Sequence, residues 1–186
     1  VSEGERMKYF KKISGNRIYL SPINADDVEI YTKWLNDPAV SINLGSYSKL
    51  ISLHNERSFL EKLALEGHNY AIVTDGGVLL GNIGLFDIDG ISRTATVGLF
   101  IGEASERGKG YGAEALRLIV AYGFKTLNLQ NIMLNVNAAN EQALACYKKV
   151  GFREFGRRRA AKFIDGCYVD DIYMEILSKE FFDNNA

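Results

Sequence analysis

A run of alternating glycines, Arg107-Gly108-Lys109-Gly110-Tyr111-Gly112, stands between a segment that reads as a long strand, 92–101, and a long amphipathic helix. No other feature limits the fold of this chain as much. From Ala113 onward, apolar Leu116, Val120, Phe124 and Leu127 recur every three or four residues, the helical spacing. Glycines let a backbone approach a ligand without Cβ clashes. Successive N–H groups entering a helix N-terminus attract an anion, and the helix dipole reinforces them. Arg107 and Lys109 add positive charge. A glycine cluster is by default a solvated turn. The strand–loop–helix setting and the flanking cations point instead to a pyrophosphate cradle.

Two known phosphate loops do not fit. A Walker A loop needs Ser or Thr after its Lys, and Lys109 is followed by Gly110. Gly108, Gly110 and Ala113 match a GxGxxA dinucleotide fingerprint, but the apolar strand ends several residues too early. The ribose-binding acid expected about 20 residues on is also missing, since 127–136 carries no Asp or Glu.

The rest of the chain is read from periodicity and turn residues. A strand is expected over 16–23, then a helix opened by Asp26 or Asp27, carrying Val28, Tyr31, Trp34 and Leu35, and stopped at Asn36-Asp37-Pro38. A second helix follows over 53–66. Strands are expected at 69–74, 78–86 and 92–101, with turns at Asp75-Gly76-Gly77 and 87–90. After the helix from Ala113 come a short strand at 132–136 and a helix from Asn140 through Lys149, ended by Gly151. Two last strands, 152–164 and 168–177, turn at Asp165-Gly166. Hairpins mixed with crossovers give an α/β (α+β) fold, a mixed sheet of about seven strands with helices on both faces.

At 186 residues, 47% of them hydrophobic, the chain suits one sizeable domain. Lys plus Arg number 22 and Asp plus Glu 23, which gives no reason to expect nucleic-acid or membrane-surface partners. Two cysteines without a CxxC and two distant histidines argue against a zinc site, so no metal is expected. A hydrolase elbow, GxSxG, is absent. No apolar run has the length of a membrane span, and the VSEGERMKYFKK start lacks the apolar core of a signal peptide. The expected location is cytoplasmic.

Two segments together resemble one family. VGLFIGEASERGKGYGAEA, from Val97 to Ala115, is similar to motif A of the GCN5-related N-acetyltransferases, or GNATs, whose Arg/Gln-x-x-Gly-x-Gly/Ala is matched by Arg107, Gly110 and Gly112. NEQALACYKKVGF, from Asn140 to Phe152, resembles their second signature, an Asn, a Tyr seven positions later, then Gly-Phe. The tail IDGCYVDDIYMEIL resembles the RimJ/RimL-type branch, which includes ribosomal-protein N-terminal and spermidine acetyltransferases. The resemblance covers essentially 16–180. It implies a single GNAT-like domain there, after an N-terminal extension at 1–15 and before a tail at 181–186.

The same resemblance implies acetyl-CoA as cosubstrate and an amine acceptor, either polyamine-like or a protein N-terminus, attacked directly in a ternary complex. It implies that Leu99, Phe100 and Ile101 offer strand backbone to the pantetheine arm and polarise the thioester carbonyl. Arg107, Gly108, Lys109, Gly110, Tyr111 and Gly112 would cradle the pyrophosphate. Asn140 would contact the cosubstrate, and Tyr147 would protonate the departing sulfur. On residue type alone, Asn140 is a good N-cap and Tyr147 a packing aromatic. Some relatives place a basic Glu where this chain has Asn135, which cannot take a proton. An ordered water chain or another acid would then be needed; Asp87, Asp89, Glu103 and Asp170 are candidates, none assigned.

Cys146 is read as a small thiol rather than an acylated nucleophile. Arg157, Arg158, Arg159 and Lys162 form a basic stretch that could meet an acidic substrate or the adenosine 3′-phosphate, and that reads by default as a solvated strand face. Tyr31 and Trp34 read as core or as the lip of an acceptor pocket. The alternative function is a non-catalytic acyl-CoA-binding sensor or scaffold. Oligomeric state stays open, a homodimer through the sheet or the C-terminal strands being the family-level expectation.

Overall fold

The computed structural model describes residues 7–65 and 67–183. Its strands are β1 (Ile13–Ser14), β2 (Ile18–Pro22), β3 (His68–Thr74), β4 (Leu79–Asp89), β5 (Thr94–Ile101), β6 (Asn131–Asn137), β7 (Arg153–Ile164) and β8 (Cys167–Leu177). They form one eight-stranded sheet in the order β1-β2-β3-β4-β5-β6-β8-β7. Every neighbouring pair is antiparallel except β5 and β6. The helices are α1 (Val28–Asn36), α2 (Pro38–Leu44), α3 (Leu53–Leu65), α4 (Tyr111–Lys125), α5 (Glu141–Val150) and α6 (Ser178–Asp183).

Side chains alternate across a strand, so the central strands feed two cores. Ile18, Leu20, Tyr70 and Ile72 join the core beneath α4, with Leu116, Ile119 and Val120. Their neighbours Tyr19, Ala71 and Val73 face the other way, onto Val28, Tyr31 and Trp34 of α1 and Leu60 of α3. Among the described residues no helix is long and apolar enough to cross a membrane.

Several boundaries differ from the sequence expectation. The sheet has eight strands because Ile13–Ser14, inside the expected N-terminal extension, pairs with β2. Asp27 does not cap α1 with its side chain; Tyr9 donates to its carboxylate and Lys8 pairs with it, while Asn24 caps a 3-10 turn over Ala25–Asp27. Asp37-Pro38 ends α1 and at once starts α2. The Ala39 N–H donates to Asp37 Oδ1 at 2.9 Å, and a proline at the first helical position forfeits no hydrogen bond. α4 begins at Tyr111 rather than Ala113, and α6 follows directly after the last expected strand, across the end of the expected domain and into the tail. Residues 1–6, Glu66 at the expected end of α3, and 184–186 of the tail lie outside the described residues.

The far end of β5 is pressed onto α1. A Cβ on Gly102 would lie 2.0 Å from Trp34 Cδ2, and Trp34 is only 2% exposed. Trp34 and Tyr31 each pack edge-on against Phe100, with centroids 6.2 Å away. Gly102→Ala therefore overpacks this contact. It is expected to cost about 1–3 kcal/mol, or roughly 2–4 °C of melting temperature per kcal/mol. Thermal denaturation checks this, and an unchanged melting temperature would mean that the indole swings aside freely.

Candidate active site

The site arises where two strands part. β5 and β6 pair only at Thr94↔Asn131, Ala95↔Ile132 and Thr96↔Met133, whereas β4 stays paired to β5 as far as Gly81↔Ile101. Beyond Thr96, one edge of β5 therefore faces open space instead of a partner strand. A cleft of about 670 Å³ occupies that opening. Leu99, Phe100 and Ile101 line one wall, Gly108, Gly110, Tyr111 and Gly112 the end, and Asn140 and Tyr147 the opposite wall. Arg107 lines it too; Lys109 does not.

The loop is shaped by its own charges. Arg107 donates from Nε to the Ile101 carbonyl at 3.0 Å and from Nη2 to the Gly102 carbonyl at 2.6 Å, tying the loop to the strand end. Exposed Lys109 donates to Glu106 Oε1 at 2.9 Å. The two cations expected to face an anion are thus engaged within the protein. Besides Arg107, the loop brings its glycine backbone to the cleft: Gly108 and Gly110 have φ of +76° and +89°, and α4 starts immediately after. First-turn amides of a helix have no intrahelical acceptor. Where a Cβ on Gly112 would sit, Leu99, Ile101 and Cys146 lie 3.4–4.0 Å away, so this residue packs the cleft floor.

Arg17 is a contributor that the sequence did not reveal. From β1–β2 it donates to the Lys109 carbonyl at 3.0 Å, pairs with Glu114 at 3.0 Å, and lies 4.8 Å from the Tyr111 ring centroid. Burial pushes the Glu114 carboxyl up, but the Arg17 and Asn16 amides and the Arg17 guanidinium hold it below the usual range. No motif marks Arg17; the contact spans 97 positions of sequence.

The Asn-to-Tyr spacing has a structural cause. Asn140 caps α5, its Oδ1 accepting from the Ala143 N–H at 3.0 Å, which leaves its amide NH₂ to the cleft. At the other end, Gly151 (φ +113°) donates to Lys148 O and Phe152 N–H donates to Tyr147 O. This is a Schellman stop, and its usual hydrophobic contact is the Tyr147–Phe152 ring pair, with centroids 6.2 Å apart. Gly-Phe thus sets the position of the Tyr147 ring. Burial, with a smaller contribution from Cys146, pushes the Tyr147 phenol up to about 12.

Of the four acids considered as bases, only Asp87 lines the cleft, and it is exposed with φ +50°. Asp89 is held by Ser92 and Ile91, Glu103 by Lys33 and Trp34, and Asp170 by Ala160 and Arg157. Those bonds keep all three carboxyls below their ordinary range. Asn135 lines the cleft, with its Nδ2 3.5 Å from Asp171 of β8. Asp171 is buried and pairs with Lys162 at 2.8 Å, so Lys162 is a cleft residue rather than part of a solvated face. Burial raises the Cys146 thiol despite nearby Arg117 and Lys149, which disfavours the reactive thiolate. Tyr31 and Trp34 are both buried, at 2% exposure.

Residues 17–153 match the family model described as Acetyltransferase (GNAT) domain. The chain is 28% identical over 149 residues to a Bacillus subtilis (strain 168) protein named "Putative ribosomal N-acetyltransferase YdaF", covering 80% of this chain and 79% of that one. It is 27% identical over 180 residues to the spermidine N(1)-acetyltransferase of Escherichia coli (strain K12), covering 90% of each. The crystal structure of spermidine N-acetyltransferase from Vibrio cholerae in complex with CoA and spermine superposes with a TM-score of 0.82 at 23% identity, over 90% of this chain and 99% of that one.

Proposed function

The chain belongs to the GNAT acetyltransferase family, and from that premise we propose that this N-acetyltransferase moves the acetyl group of acetyl-CoA to a primary amine by direct attack in a ternary complex. The observation that carries the proposal is the parting of β5 from β6, which opens strand backbone opposite Tyr147 in one cleft. We take the acetyltransferase domain to be 16–180.

The parts divide the task. The free edge at Leu99, Phe100 and Ile101 offers N–H and C=O groups to an amide-bearing arm, as an added strand would find them. An N–H on that edge is placed to stabilise negative charge on the thioester oxygen. The amides of 108–112 at the start of α4 receive the pyrophosphate, with Arg107 and Arg17 holding the loop in shape. The free amide of Asn140 binds at the cleft wall. Tyr147 donates a hydrogen bond to the sulfur as it gains charge. Acetyl-CoA supplies the activated acyl group; each of these protein groups binds, orients or steadies charge.

Free thiol released when candidate amines are added to protein and acetyl-CoA tests the reading. Acetylated product and stoichiometric thiol are expected with a primary amine. Tight acetyl-CoA binding with no thiol release across polyamines, monoamines and N-terminal peptides would instead indicate a CoA-binding module.

A further inference from the structure

A second cavity, of about 230 Å³, lies between α1, α3 and the β4–β5 hairpin. It adjoins the cleft: Leu44, Phe86, Gly98, Leu99 and Phe100 line both. Its other walls include Leu35, Phe59, Leu60 and Leu63. Into this apolar lining the chain places one carboxylate, Glu56 of α3. Glu56 is 3% exposed, and its Oε1 has no hydrogen-bond partner. A buried acid without a partner is costly to keep, and a cationic donor from a ligand would satisfy it.

We propose that this pocket receives the acceptor as a primary amine on a compact apolar body, and that Glu56 binds its ammonium and takes its proton. The proposal rests on the acetyltransferase reading and narrows it. The pocket opens beside Leu99 and Phe100, where that reading puts the thioester. Its volume lies below the ~300–1,000 Å³ of drug-sized ligand pockets. It has one carboxylate, whereas a polyamine brings several ammonium groups and a peptide brings polar backbone. Apart from Asn82 and Tyr31, the remaining walls are aliphatic and aromatic, and they match neither.

The proton step also fills the gap left by Asn135. The Glu56 carboxylate takes one proton from R–NH₃⁺, leaving R–NH₂. The nitrogen lone pair forms the C–N bond to the acetyl carbonyl carbon, and the C–S bond breaks with its electrons on sulfur. Nitrogen gives its second proton to solvent as the amide forms, while Tyr147 donates one to sulfur and takes one back from solvent. Glu56 also passes its proton to solvent, so both groups return to their starting states and each turnover releases one proton net. Burial lifts the Glu56 carboxyl to about 7, close to the working range of a general base. Among the described residues, the titratable group lining the cavity with it is Tyr31 of α1, whose phenol burial keeps protonated. Asp27, in the 3-10 turn packed on α3, is engaged by Lys8 and Tyr9. On α3 itself the neighbouring Arg57 reaches Asp26 at 4.0 Å. The strand residues of the wall, Asn82, Phe86, Gly98, Leu99 and Phe100, carry no titratable group.

Thiol release with 2-phenylethylamine, isopentylamine, spermidine and an N-terminal peptide, measured from pH 6 to 10 for the intact chain and Glu56→Gln, tests the proposal. The two apolar monoamines should exceed spermidine and peptide in kcat/KM by about tenfold or more, the worth of one or two well-placed methylenes. Wild-type kcat/KM should rise about tenfold per pH unit up to roughly 7 and then level. Glu56→Gln should be lower by about 10²-fold at pH 8, and should keep climbing toward the amine's own pKa near 10.4. Its acetyl-CoA affinity should be unchanged.

Folding is not expected to suffer. A carboxyl whose folded pKa is raised weakens the fold as pH climbs from about 4.5 to about 7. The neutral amide removes that penalty, so Glu56→Gln should melt at or above the wild-type temperature at pH 8. Should it fail to fold, Glu56→Asp keeps a carboxylate one methylene further back, and a slower enzyme with the pH break retained is expected. Identical pH profiles in wild type and variant, or a preference for spermidine or peptide, overturns this proposal alone. No thiol release with any amine overturns the acetyltransferase reading, and this one with it.

Discussion

In Tyr147→Phe, turnover falls by roughly 10²–10⁴-fold, the usual contribution of a positioned general acid, while acetyl-CoA affinity hardly changes. The ring is retained, so the contact with Phe152 and the Schellman stop of α5 remain and the fold is undisturbed. Only the hydroxyl is lost. Because burial lifts its pKa to about 12, that hydroxyl stays protonated across the working range. A thiolate leaving group has an ordinary pKa near 8.5, so full proton transfer from the phenol is uphill. The hydrogen bond strengthens as charge develops on sulfur, and an interaction of that kind raises kcat without tightening ground-state binding. The measurement is kcat at saturating amine and acetyl-CoA, with chemistry shown to limit the rate. Wild-type turnover in the variant would return Tyr147 to a packing role.

Gly110→Val is expected to weaken acetyl-CoA binding by at least about tenfold in a chain that still folds. Gly110 precedes α4 at φ +89°, a conformation that side-chain-bearing residues rarely adopt. Forcing a residue into left-handed backbone costs roughly 1–2 kcal/mol, and β-branching makes it worse. A Cβ there also lies 3.2 Å from Arg17 Nη2, in the guanidinium that braces Lys109 and Glu114. The loop can relieve both strains by turning its amides away from the cleft, which is where binding is lost. Gly112 offers a contrast. It lies inside the helix, and a Cβ there makes ordinary contacts with Leu99, Ile101 and Cys146. Gly112→Ala should therefore weaken binding less than Gly110→Val. Calorimetric titration of both variants, with circular dichroism for folding, decides this. Equal, undiminished affinity in a folded Gly110→Val would remove the loop from the binding site.

Most of the architecture was legible because it follows from short-range rules. The apolar runs of β3 to β5 between turn residues, the helical period of α4 and the cap and stop of α5 at Asn140 and Gly151 depend on residues within a turn or two of each other. The errors came where a local signal has two outcomes. Asp37-Pro38 reads as a stop because proline cannot continue a helix, yet the same pair starts α2, since proline suits a first turn. The side chain of Asp27 was free to cap α1 until Tyr9 and Lys8, far back in sequence, claimed it.

Neighbours along the chain suffice for the local machinery: the glycine loop ahead of α4, the Asn140–Tyr147 spacing along one helix face, and the strand at 99–101. Which charges and acids face the cleft depends on the assembled fold. Arg107 and Lys109 are ions in sequence, but carbonyl oxygens and Glu106 take up their hydrogen bonds. Arg17 reaches the loop only because β2 packs beside α4. Glu56 looks like a solvent-facing residue on an ordinary amphipathic helix, and only the packing of α3 over α1 and β5 buries it beside a cavity. The reason is physical. Backbone conformation is set by neighbours along the chain, whereas the protonation and partners of a charged group depend on the solvent and charges around it, which only the assembled fold arranges.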